Sequence, residues 1–197
     1  MRIIIVLIFA FCLFCCSPET ARQTEISFKI DDSLLAEPLH SSVSNLSFQP
    51  PLGWESLNAE MMDFIHDSLT VFPNFPDLNI RLQNVFFQQE KTLACFLWAF
   101  DSDLLPADII GSFIAEFKTA NPDIKINEGS FAHNQIDFKQ LSYVNNNYVN
   151  VKLIAAINKR HVFMLDYVVP ARCYEEELPS IESSIGSIKK LKKGDAK

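Results

Sequence analysis

Residues 93–100 most restrict what this chain can fold into. Read at a two-residue period, the stretch is apolar on both faces: Leu93, Cys95 and Leu97 on one, Phe96, Trp98 and Phe100 on the other. A strand of this kind has no face to give to water, so it belongs inside a sheet with layers packed on both sides. Residues 79–89 precede it across a polar turn at Glu90-Lys91, which makes the two a hairpin. The rest of the chain has to supply neighbouring strands and two covers.

Helical spacing identifies the covers. Ile109, Ile110, Phe113, Ile114 and Phe117 share one stripe of a helix that opens on Pro106, with Asp108 in its first turn, and ends at Asn121-Pro122. Leu57, Met61, Phe64, Ile65 and Leu69 predict an amphipathic helix over residues 56–69, stopped by Phe72-Pro73-Asn74-Phe75-Pro76. Leu178, Ile181, Ile185 and Ile188 predict a third over residues 175–191, with Pro179 breaking or kinking its start. Four strand-like runs, at 124–132, 136–144, 148–158 and 161–169, are joined by short polar turns, including Asn145–Asn147 and Asn158-Lys159-Arg160. A short strand at 46–49 is stopped by Pro50-Pro51 and turned by Gly53 before Trp54, and residues 26–30 read as a further short strand. The fold class is α+β, a largely antiparallel sheet flanked by helices.

The first seventeen residues, MRIIIVLIFAFCLFCCS, have the layout of a secretory signal: one positive charge at Arg2, then an apolar run. An apolar helix of about 14 residues rises ~21 Å against a hydrocarbon core of roughly 30 Å, too short for a span. Leu13-Phe14-Cys15-Cys16-Ser17 resembles the bacterial lipobox. The resemblance implies cleavage after Cys15 and lipidation of Cys16, with Cys15 as the alternative acceptor; an ordinary cleaved signal and an uncleaved anchor are the other readings of the leader. Ser17 after the cysteine implies the outer rather than the inner membrane. The organisation expected is a signal over 1–15, a tether over 16–44, one α+β domain over 45–191 and a basic tail over 192–197. About 180 residues suffice for one domain with a real core.

Removing residues 1–15 takes away Arg2 and no acid, leaving 16 basic against 24 acidic residues. An acidic domain without a basic stripe argues against nucleic acid as a partner. Lys189, Lys190, Lys192, Lys193 and Lys197 are the exception, read as a solvated helix end or as an electrostatic touch on anionic lipid. Outside the leader only Cys95 and Cys173 remain, a candidate disulfide in an oxidising envelope; alternatively, Cys95 is a small buried hydrophobe.

Phe48-x-x-Pro51-x-Gly53-Trp54, the strand and helix around 93–118, Tyr167-x-x-Pro170 and the final stretch Ile181-Glu182-Ser183-Ser184-Ile185-Gly186-Ser187-Ile188 together resemble the PsbP-like fold family. That family includes a lumenal subunit of the oxygen-evolving photosystem, a Ran-binding nuclear transport factor and bacterial lipoproteins of the DcrB-like group. The resemblance spans about residues 45–190. It implies an α/β/α sandwich and a mostly non-enzymatic binding or accessory role.

Other motifs are weaker. Phe100-Asp101-Ser102-Asp103-Leu104 is similar to the Asp-x-Asp loop of haloacid-dehalogenase-type phosphatases, but Leu105 stands where a Thr or Ser is needed; acids favouring a helix N-terminus explain the pair better. Ser187-x-x-Lys190 matches the serine–lysine motif of penicillin-binding enzymes without its Lys-Thr-Gly partner. His40, His66, His133 and His161 show no metal-binding spacing, and five glycines leave no phosphate-cradling loop, so no metal and no cofactor are expected. Phe72, Phe75 and Leu78, stiffened by Pro73 and Pro76, form a candidate partner-binding loop or a lid over the core.

The expectation is a lipid-anchored protein of the cell envelope, a non-catalytic accessory or binding module with an unidentified envelope protein as partner. One alternative is a carrier of a lipid or other small hydrophobe, for which the 17 phenylalanines leave room. The other is a hydrolase using Asp101 and Asp103.

Overall fold

Two layers of apolar side chains, one on each face of a single large sheet, hold the chain together. The computed structural model describes residues 24–41, 45–68, 78–158 and 161–191, with residues 66–68 described by backbone alone. The strands and helices run β1 (Leu39–Ser41), β2 (Leu46–Phe48), β3 (Glu55–Ser56), α1 (Ala59–Ser68), β4 (Asn79–Gln88), β5 (Leu93–Asp101), α2 (Pro106–Ala120), β6 (Asn127–His133), β7 (Ile136–Asn145), β8 (Tyr148–Ala156), β9 (Val162–Pro170), α3 (Tyr174–Gly186) and β10 (Lys189–Lys190). Seven strands form one sheet in the order β3-β4-β5-β9-β8-β7-β6, and β1-β2-β10 form a small second one. Every strand pairing in both is antiparallel. The architecture is the α+β arrangement expected.

β5 lies between β4 and β9 and is buried on both faces. Leu93, Cys95 and Leu97 pack with Phe163, Leu165 and Tyr167 of β9 under Ile181 and Ile185 of α3. Trp98 and Phe100 pack with Met164 and Ile154 under Ile109, Phe113 and Phe117 of α2. Aromatic edges lock the second layer, with the Phe100 and Phe113 rings 5.4 Å apart and perpendicular. The β6–β7 and β7–β8 hairpins turn on two-residue loops, Asn134-Gln135 and Asn146-Asn147, each residue with positive φ. That is the turn type whose twist matches antiparallel strands, and asparagine tolerates it.

Several expectations need correction. The first helix begins at Ala59, because Glu55–Ser56 pair with β4 and the Asn58 side chain accepts from Met61 N at 2.9 Å as the N-cap. Its apolar stripe is only partly covered: Met61 is 47% exposed and Phe64 68%, while Leu57 and Ile65 are half-buried. The last helix starts at Tyr174, runs through Pro179 and stops at Gly186 rather than Leu191. After it, Lys189–Lys190 pair with the edge of β2, so these lysines sit on a strand and not on a helix end. Lys192, Lys193 and Lys197 lie outside the described residues.

The tether expected over 16–44 is, from Thr24 to Ser41, part of the body. Ile26 N donates to Ala132 O at 2.8 Å and Ala132 N to Thr24 O at 3.0 Å, while Phe28, Leu35 and Leu39 reach the core. Residues 26–30 form no strand, and Glu25 bridges β6 at Ala132. The 16–23 and 42–44 parts of the expected tether fall outside the described residues. Cys95 and Cys173 are both buried and both free thiols, so the candidate disulfide is not formed.

Candidate functional site

The Asp101 loop sits at the end of β5, in an open cleft lined by Arg81, Ser102, Asp103, Leu104, Leu105 and His161. Strand pairing places Arg81 opposite Ala99, and its guanidinium reaches Asp101 at 3.1 Å. The Asp101 carboxylate thus sits in an exposed ion pair, and Ser102 Oγ accepts from Leu104 N at 3.2 Å. Neither acid caps the following helix: Leu105 is the N-cap, without a side-chain bond, and Pro106 fills the first position. The structure thus brings Asp101 and Asp103 to one loop but ties the first to a cation.

The sheet interior also holds polar groups that no local pattern announces. Lys152 on β8 and Asp166 on β9 face each other in register and form a buried ion pair on the α2 side. The ammonium lies 5.3 Å from the Phe117 ring centroid and 5.8 Å from that of Tyr143. Asp166 Oδ1 is buried without a hydrogen-bond partner. Burial pushes the Asp166 carboxyl above its ordinary range, and the Lys152 charge offsets only part of that.

On the opposite face the Tyr167 hydroxyl lies between the Cys95 thiol and Ser184 Oγ, the latter at 3.0 Å. Ser184 Oγ in turn donates to Gln49 O at 2.6 Å. Burial holds both the Cys95 thiol and the Tyr167 phenol well above their ordinary ranges, which keeps them protonated and inert. This chain of bonds fastens α3 to the Phe48–Trp54 corner, where Gly53 has φ +80° and Trp54 is buried.

His133, at the end of β6, draws three segments together. Its Nδ1 lies 2.9 Å from Ile26 O and its Nε2 2.8 Å from Gly186 O, with the Phe28 ring 5.0 Å away edge-on. Asn134 Nδ2 donates to Ile188 O at 2.8 Å. Among the described residues no group of three or more His, Cys, Asp or Glu side chains converges as a metal site would require.

Of the loop singled out for partner binding, Leu78 is buried in the α2-side core and offers nothing to a partner. Phe72 and Phe75 lie outside the described residues, as do Cys15 and Cys16. The exposed apolar residues that the sequence reading assigned to the interior are Met61 and Phe64 on α1. Helical spacing marked them correctly as one stripe and could not say whether anything covers it.

No family model and no curated protein matches the sequence. Solved structures that resemble it include cyanobacterial PsbP (CyanoP) from Synechocystis sp. PCC 6803, with 12% identity, 90% of this chain and 98% of that chain covered, and a TM-score of 0.48. Another is LpqN, involved in cell envelope biogenesis of Mycobacterium tuberculosis, with 11% identity, coverage of 83% and 97%, and a TM-score of 0.48. The likeness to both is one of fold.

Proposed function

We propose that this protein is a cell-envelope lipoprotein, anchored through Cys16 to the outer membrane, whose α+β body is a non-catalytic binding module for another envelope protein. The observation that carries the reading is the lipobox-type leader ahead of a body whose described residues bury two apolar layers, one on each face of the sheet. Among the described residues both layers are built of side chains packed on one another, which favours recognition at the surface over the carrier alternative. The hydrolase alternative is weakened by the pairing of Asp101 with Arg81.

The exposed Met61–Phe64 stripe of α1 is the recognition surface this reading favours, since large apolar side chains at exposed positions are typical partner anchors. Two measurements test it. Labelled palmitate enters the wild-type chain and fails to enter Cys16→Ser. Crosslinking in cells captures a discrete envelope protein, and Phe64→Ala with Met61→Ala abolishes the capture. Palmitate entering Cys16→Ser equally would remove the anchor, and capture undiminished by the α1 changes would remove the surface.

A further inference from the structure

Given Met61 and Phe64 as the recognition surface, the reading on which this rests, we propose that the segment of the partner protein received by α1 is basic as well as apolar. Its lysine or arginine side chains flank aromatic or aliphatic ones.

The apolar anchors of α1 stand among acids. Glu60 lies four residues before Phe64 and three before Asp63, and all three are exposed. Positions at those spacings are neighbours on a helix, so Phe64, 68% exposed, emerges from an acidic face. Asp67 follows in the last turn, where a negative charge opposes the helix dipole. The helix has neither lysine nor arginine to offset these acids. Like charges at such spacings and a bare aromatic ring both work against the isolated fold, a conflict expected where a surface serves binding.

The acids continue beyond the helix. Glu55, Leu57, Met61, Phe87, Gln88 and Glu90 line an open groove beside α1 and the β3–β4 edge. Glu55 and Glu90 are exposed, and Gln88 Oε1 is a buried acceptor with no hydrogen-bond partner among the described residues. The nearest cations on the β4–β5 hairpin are engaged, Arg81 by Asp101 and Lys91 by Glu176 and Glu177. Between Lys29 and Arg81 the chain has neither lysine nor arginine, so the stretch holding β1, β2, β3 and α1 brings no cation of its own.

Such a surface discriminates between occupants. An anionic bilayer is repelled by it, and a second copy facing it across a twofold axis would set acid against acid. A segment with cations around apolar side chains gains twice. Met61, flexible and polarizable, adapts to the apolar part, while the acids steer and register the cations.

Random dodecapeptides displayed on phage, selected on the purified full chain in non-ionic detergent with counter-selection on the bare support, test this. Enriched peptides carry lysine or arginine beside aromatic or aliphatic residues. Their affinity, read by fluorescence anisotropy, falls about tenfold in E55Q/D63N/E90Q, each exposed charge contact contributing roughly a factor of two. It also falls as salt is raised. E25Q/D123N/D137N removes equal charge beside β6 and β7, on the sheet edge opposite β3, and leaves affinity within about twofold. Enriched peptides without positive charge, affinity unmoved by E55Q/D63N/E90Q, an equal loss in the opposite-edge triple, or no enrichment overturns the proposal. So does sedimentation showing a dimer that Phe64→Ala dissolves, which gives the face to a second copy. Met61→Ala with Phe64→Ala separates the two readings. If it weakens binding and the acid changes do not, the surface stands and its basic partner falls. If it leaves the peptides bound as before, the surface reading fails and the basic partner with it.

Discussion

Breaking the Lys152–Asp166 pair one side at a time is expected to destabilise the domain unequally. The two side chains are 4% and 10% exposed, so removing either strands a charge in the interior, at a cost of about 3–5 kcal/mol. In Asp166→Asn the remaining ammonium still faces the Phe117 and Tyr143 rings, which recover on the order of 1–2 kcal/mol. In Lys152→Met the carboxylate is left with no partner for either oxygen, since Oδ1 already lacks one. Lys152→Met is therefore the worse variant, with a melting temperature lower by roughly 6–20 °C for a domain of this size. Its penalty depends on pH in a definite direction. Burial already raises the Asp166 pKa, and losing Lys152 raises it further. A raised carboxyl is harmless below its ordinary value near ~4, where it is protonated in both states, and costs more as pH climbs through the folded value. The variant's deficit therefore shrinks on acidification. Lys152→Met combined with Asp166→Leu should restore stability to within ~1.5 kcal/mol of wild type or exceed it, because apolar side chains replace a pair with an unmet acceptor. Urea unfolding followed by Trp54 and Trp98, buried one on each face of the sheet, reads all three. Single variants within about 1 kcal/mol of wild type, or a double variant as unstable as the worse single, would refute the reasoning.

Other outcomes follow from single residues. In Gly186→Ala the new Cβ would sit 2.7 Å from Phe28 Cβ and 2.9 Å from Ile30 Cγ1, so we expect a loss of about 1–3 kcal/mol and faster proteolysis at Lys29, read by limited trypsin digestion. Lys91, held by Glu176 at 2.8 Å and Glu177 at 2.6 Å, has its pKa pushed up by the hydrogen bonds it donates, to Glu176 first and Glu177 second. Its contribution is present below the ordinary lysine range and lost as pH rises through the raised value; at neutral pH Lys91→Ala should cost under ~1 kcal/mol and less in high salt. Thiol labelling followed by peptide mapping should find Cys95 and Cys173 reactive only after denaturation, and reduction should release no disulfide between them, because both are buried and free.

What the sequence made legible is what periodicity encodes. Leu93 to Phe100 revealed a doubly covered strand because every position there is apolar, and Ile109, Phe113 and Phe117 revealed their helix because one stripe alone is buried. Periodicity misled where the partner is non-local. Ile188 continues the helical spacing of Leu178, Ile181 and Ile185, yet the free edge of β2 takes up the chain beyond Gly186. Phe28, Leu35 and Leu39 are too widely spaced to mark an element, and only the finished surface shows that they hold residues 24–41 to it. Nothing local to Lys152 or Asp166 announces that α2 lies over them. The candidate surfaces were the least legible: exposure of Met61 and Phe64 is a property of what does not cover α1, which no spacing rule contains.

The docking of residues 24–30 ties the first described segment of the chain to the end of its last helix. Hydrogen bonds at Ala132, the His133 ring between Ile26 O and Gly186 O, and the close approach of Phe28 and Ile30 to Gly186 hold it there. Under the anchor proposed at Cys16, that docking sets how far the body can stand from the membrane. A body beginning at residue 45, as sequence spacing indicates, would start 29 positions past Cys16, a reach on the order of 100 Å at full extension. Thr24 stands eight positions past it, a reach of at most roughly 26–29 Å. Gly186→Ala, which crowds Phe28 and Ile30, therefore loosens the same contacts that set this reach.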